Sequence, residues 1–203
     1  MKLIGMLDSP YVRRVAISAK CLGIPLEHQS VSVFRHFEQF QQINPVVKAP
    51  TLGLDNGDVL IDSTLIIDYL EALAGSDNTL MPGELDQRLR ALRLTGLALA
   101  ACEKSVQLYY ERNLRPAEIQ YEPWVERVEG QLAAAYSALE RELEFAPLKA
   151  DGSIDQAGIS VAVAWSFSRL VVPEQVDSER FPQISAFTAY AEQLEAFLDT
   201  PIE

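Results

Sequence analysis

Ser9-Pro10, directly after the apolar run Leu3-Ile4-Gly5-Met6-Leu7, places a side-chain hydroxyl at the mouth of a helix N-terminus. A helix is expected from Pro10 through Cys21 and Leu22 to a stop at Gly23, because proline suits a first helical position and glycine a C-terminal exit. Unpaired backbone N–H groups and the positive end of the macrodipole converge at Ser9, and such a place stabilises an anion or a thiolate. Serine is equally a preferred N-cap, and a cap does no chemistry. A second candidate is Asp62-Ser63 ahead of another apolar helix. Ser63 suits the N-cap, the N–H groups beside it can receive a carboxylate, and Asp62 can accept from an ammonium. A third is Ala49-Pro50, since a proline cannot donate to a sheet ladder and so marks a strand's first residue or a bend.

The elements that must hold these residues alternate in type. After the first helix comes a part-alternating strand, Leu26 to Val33, and then a short polar helix from about His36 to Gln42. The strands Ala49–Leu54 and Val59–Ile61 flank Asp55-Asn56-Gly57-Asp58, a strong hairpin signal. Ser63 to Leu73 has apolar residues at helical spacing, which completes the order β-α-β-α-β-β-α.

That order and the residues on it resemble the thioredoxin-like N-terminal domain of the cytosolic glutathione transferases. Ser9-Pro10-Tyr11-Val12-Arg13 resembles the family's active-site turn, in a bacterial, serine-type form. Asn44-Pro45-Val46-Val47-Lys48-Ala49-Pro50-Thr51-Leu52 is similar to its NPxxKVPxL segment, with Ala49 in place of the commoner valine. Ile61-Asp62-Ser63 is similar to the acidic or amide residue plus serine that binds the γ-glutamyl end. The resemblance implies a cis Ala49–Pro50 bond whose preceding residue offers backbone N–H and C=O to the cysteinyl unit of glutathione. It also implies contacts from Ser9 and the Tyr11 backbone to the sulfur, from Lys48 beside the cysteinyl contacts, and from Asp62 and Ser63 to the γ-glutamyl group.

Composition narrows the partners. A net charge of −12 argues against nucleic-acid backbones and anionic membranes. An anionic tripeptide then needs a local exception, for which Arg13, Arg14, Arg35 and Lys48 lie in the right segments. Arg13 and Arg14 equally suit a solvated helix face. The chain opens on a strand rather than a secretory signal, and no apolar run reaches the length of a membrane span. The longest, Ile159 to Val172, carries Ser160, Ser166, Ser168 and Arg169 and is read as a buried core helix. Two cysteines, Cys21 and Cys102, stand at no metal or redox spacing and read as buried thiols in a cytoplasmic protein. His28 and His36 suggest neither a metal site nor a triad.

Residues 1–76 are therefore expected to form the glutathione-binding domain, 77–85 a turn-rich linker, and 86–203 an all-helical domain. The helices expected there span Asp86 to Asn113, Glu122 to Glu144, Asp155 to Val172 and Pro182 to Leu198. In the family an N-capping box precedes the core helix. Here Asp155 can cap, while Gly158 cannot return the reciprocal bond. Tyr109, Tyr110 and Arg112, with Trp165, are the candidates to line a cleft for a second, apolar substrate, although aromatic residues on a helix equally serve a core.

The resulting expectation is a homodimeric glutathione transferase, adding glutathione thiolate to a small electrophile with glutathione as co-substrate and no metal. Two alternatives are a glutathione-binding scaffold protein with little transferase activity, and a glutathione-dependent isomerase or dehalogenase.

Overall fold

The computed structural model describes residues 1–202. Contacts divide the chain into two units, Met1–Leu80 together with Leu194–Glu203, and Met81–Gln193.

The first unit holds a mixed four-stranded sheet. Strands β1 (Lys2–Ile4), β2 (Glu27–Gln29), β3 (Thr51–Gly53) and β4 (Val59–Ile61) lie in the order β2-β1-β3-β4, with β1 parallel to β2 and antiparallel to β3, and β3 antiparallel to β4. Helices α1 (Pro10–Cys21), α2 (Phe37–Ile43) and α3 (Ser63–Ala74) complete a thioredoxin-like arrangement. The parallel β1–β2 pair needs a crossover, which α1 supplies. Hairpin β3–β4 turns where the sequence predicts, with Gly57 at φ 90°. Ile4 packs with Val31 and with Phe40 of α2, while α1 and α3 pack on one another through faces that bury Val12, Val15, Ile66 and Leu70.

Three expected strands are shorter than their apolar runs, β3 keeping only Thr51–Gly53 of Ala49–Leu54. β1 ends at Ile4 because Gly5 adopts φ 138°, which turns the chain out of the ladder toward Ser9. Only Glu27–Gln29 of the run from Leu26 to Val33 pairs with β1, since Val31 leaves the ladder to join the Ile4–Phe40 cluster.

The second unit is helical: α4 (Leu85–Asn113), α5 (Glu122–Phe145), α6 (Gln156–Val171) and α7 (Pro182–Ala191). α6 is buried along nearly its whole length, and α4 packs on both α5 and α6. Its hydroxyls are satisfied in series. Tyr136 donates to the Ala164 carbonyl at 2.9 Å, so Ser168, 2.6 Å from the phenol oxygen, must donate to Tyr136, and Ser105, 2.7 Å away, must donate to Ser168. Burial pushes the Tyr136 phenol well above its ordinary pKa, which keeps this chain neutral. Gly158 has a packing reason as well, because a Cβ there would stand 2.8 Å from Ile154 and 3.0 Å from Phe187. Asp155 caps the Gly158 N–H at 2.8 Å, as expected.

The helix expected over Pro182 to Leu198 is broken. α7 stops at Ala191, and a separate turn of helix, α8 (Glu195–Leu198), belongs to the first unit. Tertiary contacts to α1 hold it there. Arg13 Nε donates to the Thr200 carbonyl at 2.8 Å, its guanidinium lies over the Phe197 ring, and Lys20 pairs with Asp199 at 2.8 Å.

Candidate functional site

Three backbone features of the first unit converge on the proposed ligand segments. Gly5 is the first. A Cβ built on it would stand 2.6 Å from Val12 and 3.1 Å from Ala49, so only glycine lets β1, α1 and the Ala49–Pro50 turn meet. His28 Nε2 lies 2.7 Å from the Gly5 carbonyl, which makes that nitrogen the protonated one and gives His28 a supporting role that its sequence position did not suggest.

The second feature is the cis peptide bond at Ala49–Pro50, as the family resemblance implies. A buried side-chain network holds the loop before it. Asn44 Nδ2 donates to Thr51 Oγ1 at 2.9 Å, Thr51 Oγ1 donates to the Lys48 carbonyl at 2.8 Å, and Asn44 Oδ1 accepts from the Val46 N–H at 3.0 Å. Each bond satisfies a polar group that burial would otherwise leave costly. Val47, at φ 52°, takes the left-handed turn this path requires. The role of Asn44 was visible only as part of a motif; nothing local in the sequence distinguishes it from any turn asparagine.

The third is the start of α3. Asp62, not Ser63, is the N-cap: its carboxylate accepts from the Thr64 N–H at 2.9 Å, which corrects the assignment of the cap to Ser63. Asp62 sits at φ 72°, a conformation that costs a non-glycine residue roughly 1–3 kcal/mol and tends to persist where a binding site demands it. Lys48 Nζ lies 3.6 Å from its carboxylate, so two of the expected ligand residues already face one another at the surface.

Ser9 stands at the N-cap position of α1, with extended backbone and its carbonyl accepting from the Arg13 N–H at 2.9 Å. Its side chain makes no capping bond. Tyr11 lies in the first turn beside it, half-buried. Arg13 and Arg14 are not a solvated face. Each is 2% exposed, Arg13 held by the C-terminal segment and Arg14 donating to Ser63 Oγ at 3.0 Å and Thr64 Oγ1 at 3.2 Å. The solvated-face reading of α1 fails because a guanidinium can be buried when distant partners satisfy it. Arg35 is exposed, with its guanidinium beside the Met6 sulfur.

The expected second-substrate residues separate. Trp165 is 4% exposed and packs edge-on against Tyr136 and Phe181, so it belongs to the core of the helical unit and not to a cleft. Arg112 is exposed and paired with Glu129. Tyr110 lines an open groove of about 480 Å³ with Leu114, Ile119 and Trp124, while Tyr109 stands beside Tyr110 at 6.3 Å between ring centres. Buried Glu111 shapes the groove's floor by accepting from the Tyr121 N–H and pairing with Arg115.

The N-terminal domain model of the glutathione S-transferases matches residues 3–78. Along the entire chain, the structure aligns with a glutathione transferase family member from Pseudomonas fluorescens Pf-5, solved with bound glutathione, at a TM-score of 0.86 and 31% identity over 100% of this chain and 98% of that one. The chain belongs to the glutathione transferase family. A glutathione S-transferase from Methylobacterium radiotolerans, in complex with glutathione sulfonate, aligns at a TM-score of 0.89 and 25% identity over 98% of this chain and 93% of that one. The GST-like protein YibF of Escherichia coli is 29% identical over 164 residues, 81% of this chain and 80% of its own length. No helix among the described residues is long and apolar enough to cross a membrane.

Proposed function

We propose that this protein binds glutathione on its first unit and transfers the glutathione thiolate to an electrophilic carbon of a small, mostly apolar substrate. The Ala49 backbone beside the cis bond would pair with the cysteinyl unit, with Lys48 beside it. Asp62 would accept from the γ-glutamyl ammonium, and Ser63 and the first turn of α3 would hold its carboxylate. Ser9 and the Tyr11 N–H would stabilise the sulfur. The observation that carries the reading is the Ser9 hydroxyl, placed at the positive end of α1 yet not spent on a capping bond. The glutathione-bound relative aligned over the whole chain supports it.

A free thiol has pKa near 8.5, so only a small fraction is thiolate at neutral pH. A hydrogen bond from Ser9 favours the charged form over the neutral one and so lowers the pKa of bound glutathione. Removing that bond in Ser9→Ala should raise the value by about one to two units, the worth of one hydrogen bond to a charged group. Thiolate absorbance of the complex followed against pH reads this directly. Superimposed titrations of wild type and variant would remove the Ser9 hydroxyl from thiol activation and shift it to the backbone.

The homodimer is part of the same proposal. Leu85, Leu89 and Leu92, at 79%, 63% and 52% exposure, form an apolar stripe one helix face wide on α4. A second copy would cover it. Sedimentation at micromolar concentration should give twice the chain mass, and a strict monomer would remove the assignment. The two free cysteines suit a reducing, cytoplasmic setting.

A further inference from the structure

Arg14 is a buried cation whose Nη1 donates to two hydroxyl groups. Nη1 lies 3.0 Å from Ser63 Oγ and 3.2 Å from Thr64 Oγ1, the first two residues of α3. A guanidinium has donors and no acceptor, so both oxygens must accept here. Each hydroxyl proton is then directed away from Arg14. For Ser63, which is almost fully buried, no acceptor of that proton exists among the described residues. Meanwhile Asp62 has taken the Thr64 N–H as a cap. The first turn of α3 is left with the Ser63 hydroxyl and unpaired N–H groups, all donors and all at the positive end of a helix of 12 residues.

We infer that Arg14 is a positioning residue for the ligand's γ-glutamyl α-carboxylate: by donating to Ser63 Oγ, it turns that hydroxyl's proton away from the guanidinium and fixes it as a donor to the carboxylate. A serine left to itself can turn either way, and accepting from a neighbouring N–H would cost the carboxylate one of its bonds. The guanidinium removes that choice before the ligand arrives. Arg14 itself touches no reacting atom and acts through Ser63. The inference rests on the proposal that the start of α3 holds the γ-glutamyl group.

The test compares calorimetric affinity for glutathione with that for γ-aminobutyryl-cysteinyl-glycine, which lacks only the α-carboxylate. Wild type should prefer glutathione by about tenfold or more, the worth of a hydrogen bond to a charged group. Absence of that preference in wild type would reject the placement of the γ-glutamyl group, and the role of Arg14 with it. Ser63→Ala should lose about tenfold of the preference, and an unchanged ratio in that variant overturns the inference whether or not any Arg14 variant folds. Arg14→Lys keeps a donor-only group and should hold the ratio near that of wild type. Arg14→Gln offers an acceptor as well, lets the Ser63 proton turn inward, and should lower the ratio as Ser63→Ala does, with affinity for the truncated peptide unchanged. A folded Arg14→Gln with the wild-type ratio, or Arg14→Lys losing as much as Arg14→Gln, overturns it. A purely structural Arg14 would weaken both peptides equally, which also overturns it.

Discussion

Replacing Gly5 by alanine tests whether the meeting of β1, α1 and the Ala49–Pro50 turn holds the site together. The new Cβ would stand 2.6 Å from Val12 Cγ2, a side chain fully buried in α1, and 3.1 Å from Ala49 Cβ, on backbone at φ 138°. Neither neighbour is the end of a long flexible side chain that could swing aside. The backbone term is roughly 1–3 kcal/mol, and forcing extra atoms into a packed interior adds about 1–3 kcal/mol. The expected loss is therefore about 2–6 kcal/mol, which for a chain of this size lowers the melting temperature on the order of 10 °C. Scanning calorimetry of Gly5→Ala, Val12→Ala and the double variant separates the two terms. Val12→Ala removes the closest contact, so the double variant should cost about 1–3 kcal/mol less than the sum of the singles. Glutathione affinity should fall in Gly5→Ala, because the atoms that must move carry α1 and Ala49. A melting temperature within 1–2 °C of wild type would refute the steric argument, and strict additivity would assign the whole cost to backbone strain.

Asn44→Ala removes a side chain that both donates to Thr51 and accepts from Val46 within a buried network. It should cost about 1–3 kcal/mol by urea unfolding and weaken glutathione binding in calorimetry, and an unchanged midpoint would remove Asn44 from its supporting role. Glu140, buried on α5, accepts from the Gln183 and Ile184 N–H groups at 2.7 and 3.0 Å and so caps α7, whose own N-cap residue Phe181 makes no side-chain bond. Glu140→Ala should lower stability by about 1.5–3 kcal/mol and raise amide exchange at the start of α7; exchange there at the wild-type rate would contradict it.

The features legible in the sequence are those whose cause lies within a few residues. Pro10 and Gly23 bound α1, Asn56-Gly57 closes the hairpin, and the mostly apolar, small-residue character of α6 buries it, all as expected. The order of elements followed from these local signals, and the motif resemblance pointed to a cis bond at Ala49–Pro50. What the sequence could not settle depends on partners far along the chain. Arg13 is buried by a carbonyl 187 residues away and Arg14 by a hydroxyl 49 residues away, so periodicity alone could not tell either from a solvated charge. Both Asp62 and Ser63 have the chemistry of a cap; the turn out of β4, which sets φ at Asp62, decided between them. Trp165 had the right type for a substrate cleft, and the packing of Tyr136 and Phe181 around it placed it in the core. The expected helix from Pro182 to Leu198 had apolar residues throughout, yet α8 parts from α7 because contacts with α1 outweigh continued helical propensity. Local physics selects the elements, whereas the burial of a charge or the breaking of a helix is settled only when the chain brings distant groups within bonding distance.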